Sequence, residues 1–467
     1  MSLFEGVKKV HMVGAGGIGV SAAAKLLAHE GKIVTGSDLG RNEAVGELEA
    51  AGIRVSLGHA AENLPADADL LVYSSAVSAA NPERAEAARR GIRQLSYFEF
   101  LGEYSRTKWT IAVSGTNGKS TTTAILGLIL EAAGLDPTVI VGSKVRSFPD
   151  QNLRLGRGKY FVVEACEHQA HMLELVPRMI VLTNIEEDHL DYYRDLEHIR
   201  ATFQKYVGSL PTDGALILNA DDPVSCDGLQ PPVAPRTYGF AGAADYRAAD
   251  TRVGGGRQSF VVSGPGGGLG RFELPLPGSF NIMNALAAIA AASELGVPDE
   301  IIRRSLAGFP GLWRRFEKAG ERGGAPIYSD YGHHPTAVAG TVQAAHEFHS
   351  DRRVVLCFQP HQHSRTKKLF EEFVASFDGA DVLVLAEIFD VAGREESADS
   401  DVSSAKLVEA VLRRDAVNGR VRPVFHAADP AAAKRILIEL LRPADVCLVM
   451  GAGDIYKIAA ELADPRL

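Results

Sequence analysis

The stretch Trp109-Thr110-Ile111-Ala112-Val113, followed by Ser114-Gly115-Thr116-Asn117-Gly118-Lys119-Ser120-Thr121, decides how this chain is read. The apolar, β-branched run predicts a strand, the glycines predict a turn, and Thr122 to Ala133 predicts a helix. A strand, a turn and a helix in that order aim backbone N–H groups and a lysine at a polyphosphate, ATP or GTP. The pattern G-x-x-x-x-G-K-[ST] is incomplete, because a loop ending in Gly118-Lys119-Ser120 calls for glycine at position 113, where this chain has Val113. A GTPase switch would also need a guanine-reading N-K-x-D sequence, and none occurs.

At 467 residues and 46% hydrophobic content, the chain is long enough for roughly two to four domains with their own cores. A net charge of -9 argues against nucleic acid as a partner, which would call for a concentrated basic face. Small anions bound at local sites remain compatible with it. Cys166, Cys226, Cys357 and Cys447 are widely spaced and form no C-x-x-C pair, the usage of a reducing compartment. The amino-terminal apolar run lies inside a strand-plus-glycine pattern rather than a signal peptide, and no run reaches ~18 apolar residues. The expectation is a cytoplasmic protein with no membrane insertion.

Three α/β blocks follow from the alternation of apolar strands with Ala/Leu/Glu helices: residues 1–106, 107–318 and 319–467. In the first, Val10 to Val13 leads into Gly14-Ala15-Gly16-Gly17-Ile18-Gly19, the G-x-G-x-x-G fingerprint in its strand-turn-helix context. A second strand, Ile33 to Ser37, ends at Asp38. In a dinucleotide enzyme that acid would hold a ribose hydroxyl, so an NAD-dependent dehydrogenase is an alternative at this stage. The second block adds strands at Tyr160–Val163, Met179–Thr183 and Ala215–Leu218. Glu164 and Asp188-His189 fall just past two of them, where ligands of parallel sheets gather. Short runs at Gln258–Val262 and Arg271–Leu274 read as antiparallel strands, and the helix-like run Ala285–Leu295 is preceded by Asn281 and Asn284, which could cap it. The third block carries Asp330-Tyr331-Gly332-His333-His334-Pro335 and Gln359-Pro360-His361-Gln362-His363-Ser364-Arg365-Thr366, each just after a strand. Their histidine spacing matches no zinc ligand set.

Taken in order, the glycine-rich first block, GTNGKST, VEACE, TNIEEDHLDYY, FNIMNALAA, LWRRFE, SDYGHHPT and FQPHQHSRT resemble the Mur ligase family along nearly the whole chain. DYGHHPT with FQPHxxSRT is most similar to the members that add L-alanine to UDP-N-acetylmuramate; the nearest alternative is the recycling ligase that attaches a tripeptide to the same sugar. The resemblance implies three α/β domains: a Rossmann-like amino-terminal domain, a central P-loop ATPase-type domain with a mostly parallel sheet, and a Rossmann-like carboxyl-terminal domain. It implies ATP and Mg²⁺ as cofactors, UDP-N-acetylmuramate and L-alanine as substrates, and a monomer or homodimer.

The same resemblance implies roles. Gly14, Gly16, Gly17, Gly19, Asp38, Ser74 and Ser75 would hold the UDP-sugar. Gly115, Thr116, Asn117, Gly118, Lys119, Ser120 and Thr121 would cradle the ATP phosphates, with Asn281 and Asn284 at the adenine and Arg315 and Asp330 reaching the nucleotide from the third domain. Ser120, Glu164 and His189 would ligate the metal; His334 and Arg365 would lie near the amino acid. The catalytic set is then Lys119, Glu164, His189, Arg315, His334 and Arg365, assembled by domain closure. Against the family pattern, Gln362 stands where arginine is frequent, Phe280 where histidine is frequent, and Cys166 where an acid is frequent.

Overall fold

A computed structural model describes residues 5–189, 192–390 and 401–464. They form an α/β protein built on three sheets. The chain divides into two compact units, Met1–Ala249 with Val262–Gly270 and Met283–Leu306, and Asp250–Val261 with Arg271–Ile282 and Ala307–Leu467.

The first sheet comprises β1 (Lys9–Val13), β2 (Ile33–Asp38), β3 (Arg54–Leu57), β4 (Leu70–Tyr73) and β5 (Arg93–Ser96) in the order β3-β2-β1-β4-β5, all parallel. The chain winds outward from β1 to β3 and then returns to β4 on the other side, so the sheet switches direction between β1 and β4. Ligands of such sheets bind at that crevice. The glycine turn after β1 and Ser74-Ser75 after β4 both sit there.

The second sheet holds β6 (Trp109–Ser114), β7 (Thr138–Ile140), β8 (Leu153–Arg154), β9 (Tyr160–Glu164), β10 (Met179–Leu182), β11 (Ala215–Asn219), β12 (Arg236–Gly239), β13 (Tyr246–Gly254), β14 (Arg257–Gly264) and β15 (Gly267–Leu274). Their order is β15-β14-β13-β12-β11-β10-β6-β9-β7-β8. β6 runs parallel to both β9 and β10 and is the switch strand. Val113, fully buried, pairs with Val181 and Glu164 on either side. The helix after the turn begins at Lys119, earlier than the apolar periodicity suggests, and runs to Ala132. Asn281 and Asn284 do not precede their helix but lie inside it, because it starts at Ser279; the cap reading is therefore corrected.

The third sheet is β16 (Glu317–Arg322), β17 (Ala325–Asp330), β18 (Arg353–Phe358), β19 (Val382–Ala386), β20 (Val424–Ala427) and β21 (Asp445–Met450), ordered β16-β17-β21-β18-β19-β20. β16 is antiparallel to β17 and the remaining pairs are parallel. The central strands β18, β19 and β21 are near-continuous Val/Leu/Cys runs, as burial on both faces requires.

The first and second sheets share one core, running from Val10 and Phe100 to Phe161 and Leu182. Their junction is specific. The helix Tyr97–Ser105 approaches the turn His168–Glu174 so closely that a Cβ on Gly102 would lie 2.4 Å from the Glu174 carbonyl oxygen. Phe98 stacks on His171 with ring centroids 3.7 Å apart. Burial, and secondarily His168, hold the His171 pKa down to about 4, so the stacked imidazole is neutral near pH 7.

Beneath the first sheet lies a buried carboxylate. Glu83 has no exposure and faces His11 Nε2 at 2.7 Å and His59 Nδ1 at 3.1 Å. Ser37 Oγ donates to it at 2.6 Å and Asn63 Nδ2 at 3.2 Å. Burial opposes the charge, but the hydrogen bonds from His11, Ser37 and Asn63 outweigh it and bring the Glu83 pKa down to about 2 from 4.5. A depressed carboxylate pKa stabilises the fold at pH above the unfolded value, and that stability is lost as pH falls through the folded value. Glu83 is therefore expected to contribute about 3 kcal/mol at neutral pH, lost between about pH 4.5 and 2. Urea denaturation at stepped pH would show this as a fall in stability that Glu83→Gln removes.

Candidate active site

The turn between β6 and the helix Lys119–Ala132 is stapled to the end of β10. Thr116 N–H donates to the Asn184 carbonyl at 2.9 Å, and Asn117 N–H to Asn184 Oδ1 at 2.9 Å. Thr183 Oγ1 donates to the Asn117 carbonyl at 2.6 Å, and Glu186 N–H to Thr116 Oγ1 at 2.9 Å. Two glycines make this possible. Gly115 (φ +131°) would place a Cβ 2.1 Å from Thr183 Oγ1, and Gly118 (φ +85°) one 2.1 Å from Asn284 Oδ1. Asn284 thus lies directly against the turn. Asn281, three residues earlier on the same helix, donates its amide to the Pro277 carbonyl at 2.7 Å. Ser120 and Thr121 are buried in the helix's first turn, and the N–H groups of a first turn lack intrahelical acceptors and carry the positive end of the helix dipole, which favours an anion.

Lys119 opens that helix, and its side chain, 13% exposed, bends back toward the turn. Nζ donates to the carbonyls of Gly115 at 2.6 Å and Thr116 at 2.9 Å, and to Glu167 Oε1 at 2.8 Å. Burial lowers the affinity of the amine for its proton, but Glu167 and then Glu164 outweigh it and raise the Lys119 pKa. Burial likewise opposes the Glu167 charge, and Lys119 and His189 outweigh it to lower that pKa. The pair is held as ammonium and carboxylate.

Glu164 ends β9, and its Oε2 accepts from Gly142 N–H at 2.7 Å. His189 Nε2 lies 3.5 Å from Glu167 Oε1, and its ring stacks on His168 at 4.5 Å. His189, Gln169 and Ala170 all take left-handed backbone (φ +53°, +52° and +59°), a concentration of costly geometry in one small region. Lys119, Glu164 and His189 therefore belong to one cluster. Glu167 is its unanticipated member. Its one signal in the sequence is its place, an acid three residues past Glu164 and beyond the strand end. Burial, then Glu167, push the Cys166 thiol up to about 12, leaving it a neutral bystander.

Around the first glycine turn, Asp38 Oδ2 accepts from Gly16 N–H at 2.8 Å, so the carboxylate braces the turn itself. A Cβ on Gly14 would meet Ser74 Cβ at 2.9 Å, which brings the two loops of the switch point together. Gly17 has ordinary space, and Ser75 is exposed. Gly19 serves packing: a Cβ there would lie 2.6 Å from the Tyr97 ring. Burial, and next the Glu164 carboxylate, push the Tyr97 pKa up, so this ring also borders the lysine cluster.

In the second unit, both Asp330 oxygens accept backbone N–H groups, from Phe316 at 2.8 Å and Gly332 at 2.7 Å. Burial raises its pKa against the opposing pull of Arg315. Arg314 is buried between the rings of Trp313, Tyr331 and Tyr456, with the Tyr456 ring centroid 4.4 Å away. Arg315 also lies over the Tyr331 ring, 5.2 Å from its centroid. The two histidine clusters meet through His333 and His361, whose ring centroids are 6.3 Å apart. His334 stands at the start of the helix Pro335–Phe348, and Arg365 Nη1 lies 3.5 Å from His361 Nδ1. Gln362, left-handed at φ +68°, begins the helix His363–Lys368.

Comparison with known proteins places these clusters in a family. Residues 9–109, 113–292 and 314–453 match three family profiles, described as "Mur ligase family, catalytic domain", "Mur ligase middle domain" and "Mur ligase, glutamate ligase domain". The UDP-N-acetylmuramate--L-alanine ligase of Salinibacter ruber is 44% identical over 97% of this chain and 93% of its own length. The enzyme of the same name from Geobacter sp. is 41% identical over 97% and 96%. The crystal structure of the UDP-N-acetylmuramate-alanine ligase of Thermotoga maritima superposes with a TM-score of 0.79 at 26% identity, covering 98% of this chain and 99% of that one. A murein peptide ligase of Psychrobacter arcticus shares the fold at a TM-score of 0.69 and 24% identity, over 97% and 98%. The chain belongs to the Mur ligase family.

Proposed function

We propose that this protein joins L-alanine to the lactyl carboxylate of UDP-N-acetylmuramate at the expense of ATP, giving ADP and inorganic phosphate, as a step of peptidoglycan precursor synthesis. One observation carries the reading. The lysine-bearing turn at 115–121 is fixed beside Glu164, Glu167 and His189 in a chain 44% identical, over 97% of its length, to a ligase of that name. The dehydrogenase alternative is not supported: the relatives bear ligase names, and Asp38 is engaged with Gly16.

A carboxylate is a poor acylating agent. Attack of its oxygen on the γ-phosphorus of ATP gives an acyl phosphate, and the unprotonated amine of L-alanine then adds to the acyl carbon. The adduct collapses to the amide with phosphate leaving. Because two anions must meet, most of the catalysis is positioning and charge stabilisation. The first-turn amides of Lys119–Ala132 and the Lys119 ammonium supply that positive field.

Among the described residues, no group of three His, Cys, Asp or Glu side chains could hold a metal by itself. That suits Mg²⁺, which binds through one or two carboxylates together with substrate phosphates rather than in an all-protein cage. Ser120, Glu164 and His189 are the proposed protein ligands, and the ion would neutralise charge on the transferring phosphoryl group.

Arg315 is proposed to reach the phosphates and Asp330 to hold the nucleotide, and the two backbone contacts of Asp330 shape the loop that carries Arg315. His334 and Arg365 are proposed for the amino-acid side, where a guanidinium can pair with a carboxylate. The glycine turn with Ser74 and Ser75 takes the UDP-sugar, and Asn281 and Asn284 take the adenine side. The protein is read as cytoplasmic and as a monomer or homodimer, with no nucleic-acid partner; no helix among the described residues is long and apolar enough to cross a membrane.

Phosphate release should require ATP, UDP-N-acetylmuramate and L-alanine together; a clear preference for the tripeptide over L-alanine, glycine and L-serine would replace the acceptor with the recycling substrate. Lys119→Ala should lower turnover by roughly a thousandfold, the scale of losing a principal charge-stabilising donor. Titration with UDP-N-acetylmuramate should leave its affinity within about twofold of wild type, since distant sites behave nearly independently. Parallel loss of sugar binding would mean that the two nucleotides do not have separate sites.

A further inference from the structure

Glu167 is more firmly fixed than its place in a loop suggests. The Tyr193 hydroxyl donates to its carbonyl at 2.5 Å. Two residues earlier, Ala165 is tied to the end of β6, its N–H donating to the Val113 carbonyl at 2.8 Å and its own carbonyl accepting from Ser114 Oγ at 3.0 Å. The side chain is 5% exposed. Oε1 takes Lys119 at 2.8 Å and faces His189 at 3.5 Å, while Oε2 is buried with no hydrogen-bond partner among the described residues. A carboxylate half-satisfied in a desolvated place is costly unless it does something else.

Lys119 has three donors, and all three are spent on the protein: two on carbonyls of its own turn and one on Glu167. A polyphosphate entering the turn must therefore draw at least one donor away. Of the three acceptors, only Glu167 carries a full charge, so it is the one that competes electrostatically with a phosphate.

We propose that Glu167 is a positioning residue that competes with the nucleotide's phosphates for Lys119, holding the ammonium in line with the turn and weakening ground-state nucleotide binding while the phosphoryl group is in transfer position. The inference rests on the nucleotide reading of the turn. It differs from a metal-ligand role, in which the carboxylate would strengthen binding of the magnesium complex. Interactions that tighten the ground state do not raise turnover, so a residue of this kind trades affinity for alignment.

The full-length protein would be titrated with ADP by calorimetry, once with magnesium and once with EDTA, alongside steady-state kinetics. Glu167→Gln should bind ADP about tenfold tighter in both conditions, the scale of removing one nearby charge at an intermediate dielectric, while kcat falls by roughly tenfold or more from lost alignment. In a Lys119→Ala background the same substitution should leave ADP affinity unchanged. Glu167→Asp, which keeps the charge on a shorter arm, should bind ADP as wild type does and turn over slowly, which separates alignment from misfolding. Unchanged ADP affinity in Glu167→Gln, weaker binding confined to the magnesium titration, or a gain in affinity that persists without Lys119 would each overturn the proposal. Wild type that binds no ADP at all would overturn both this inference and the nucleotide reading, whereas wild type that binds ADP with any of those three results overturns this inference alone.

Discussion

A buried ammonium has to be compensated where it stands, and much of the surrounding structure answers to that one requirement. Lys119 is enclosed by the turn it belongs to, so its charge is met by two backbone carbonyls and a carboxylate rather than by water. To bring the carbonyls inward the turn needs Gly115 and Gly118 in backbone that other residues rarely adopt. To bring the carboxylate in, the segment after β9 must fold back over the sheet edge, and Tyr193 and Ser114 hold it there. The result is a cation pre-positioned on rigid elements, which is what phosphoryl transfer rewards.

The parallel sheets explain why such a cluster can form. In the second sheet β9 and β10 flank β6, so the segments that follow all three strands emerge at one edge, and residues far apart in sequence converge there. The first sheet repeats the device with β1 and β4, and its glycine turn meets the Ser74 loop. In the third, β21 lies between β17 and β18, so the segments after Asp330 and Phe358 meet through His333 and His361.

Strands such as β10 were legible because burial on both faces writes itself as continuous Val, Ile and Leu runs. The turn at 115–121 was legible because glycine and lysine spacing is local chemistry. What escaped was set by tertiary packing. The helix Ser279–Glu294 starts six residues before its apolar pattern, since Asn281 and Asn284 sit inside it, the latter against Gly118. Asp330 accepts two backbone amides, a bond pattern that sequence spacing does not encode. Glu167 carries only a positional hint, an acid just beyond a strand end, because the partner that gives it a role lies 48 residues away.

The left-handed backbone at Gln169, Ala170 and His189 bears on how this enzyme responds to engineering. Residues with a Cβ in that region cost about 1 kcal/mol or more each, and glycine relieves the cost. A campaign for heat resistance would find these positions attractive, since ordinary chemistry offers stability there without disturbing a core. The same substitutions would loosen the segments that carry Glu167 and His189, so the gains would come out of turnover. Durability and activity are thus set against each other over a few loop residues, and variants with both are better sought in the sheets than at this edge.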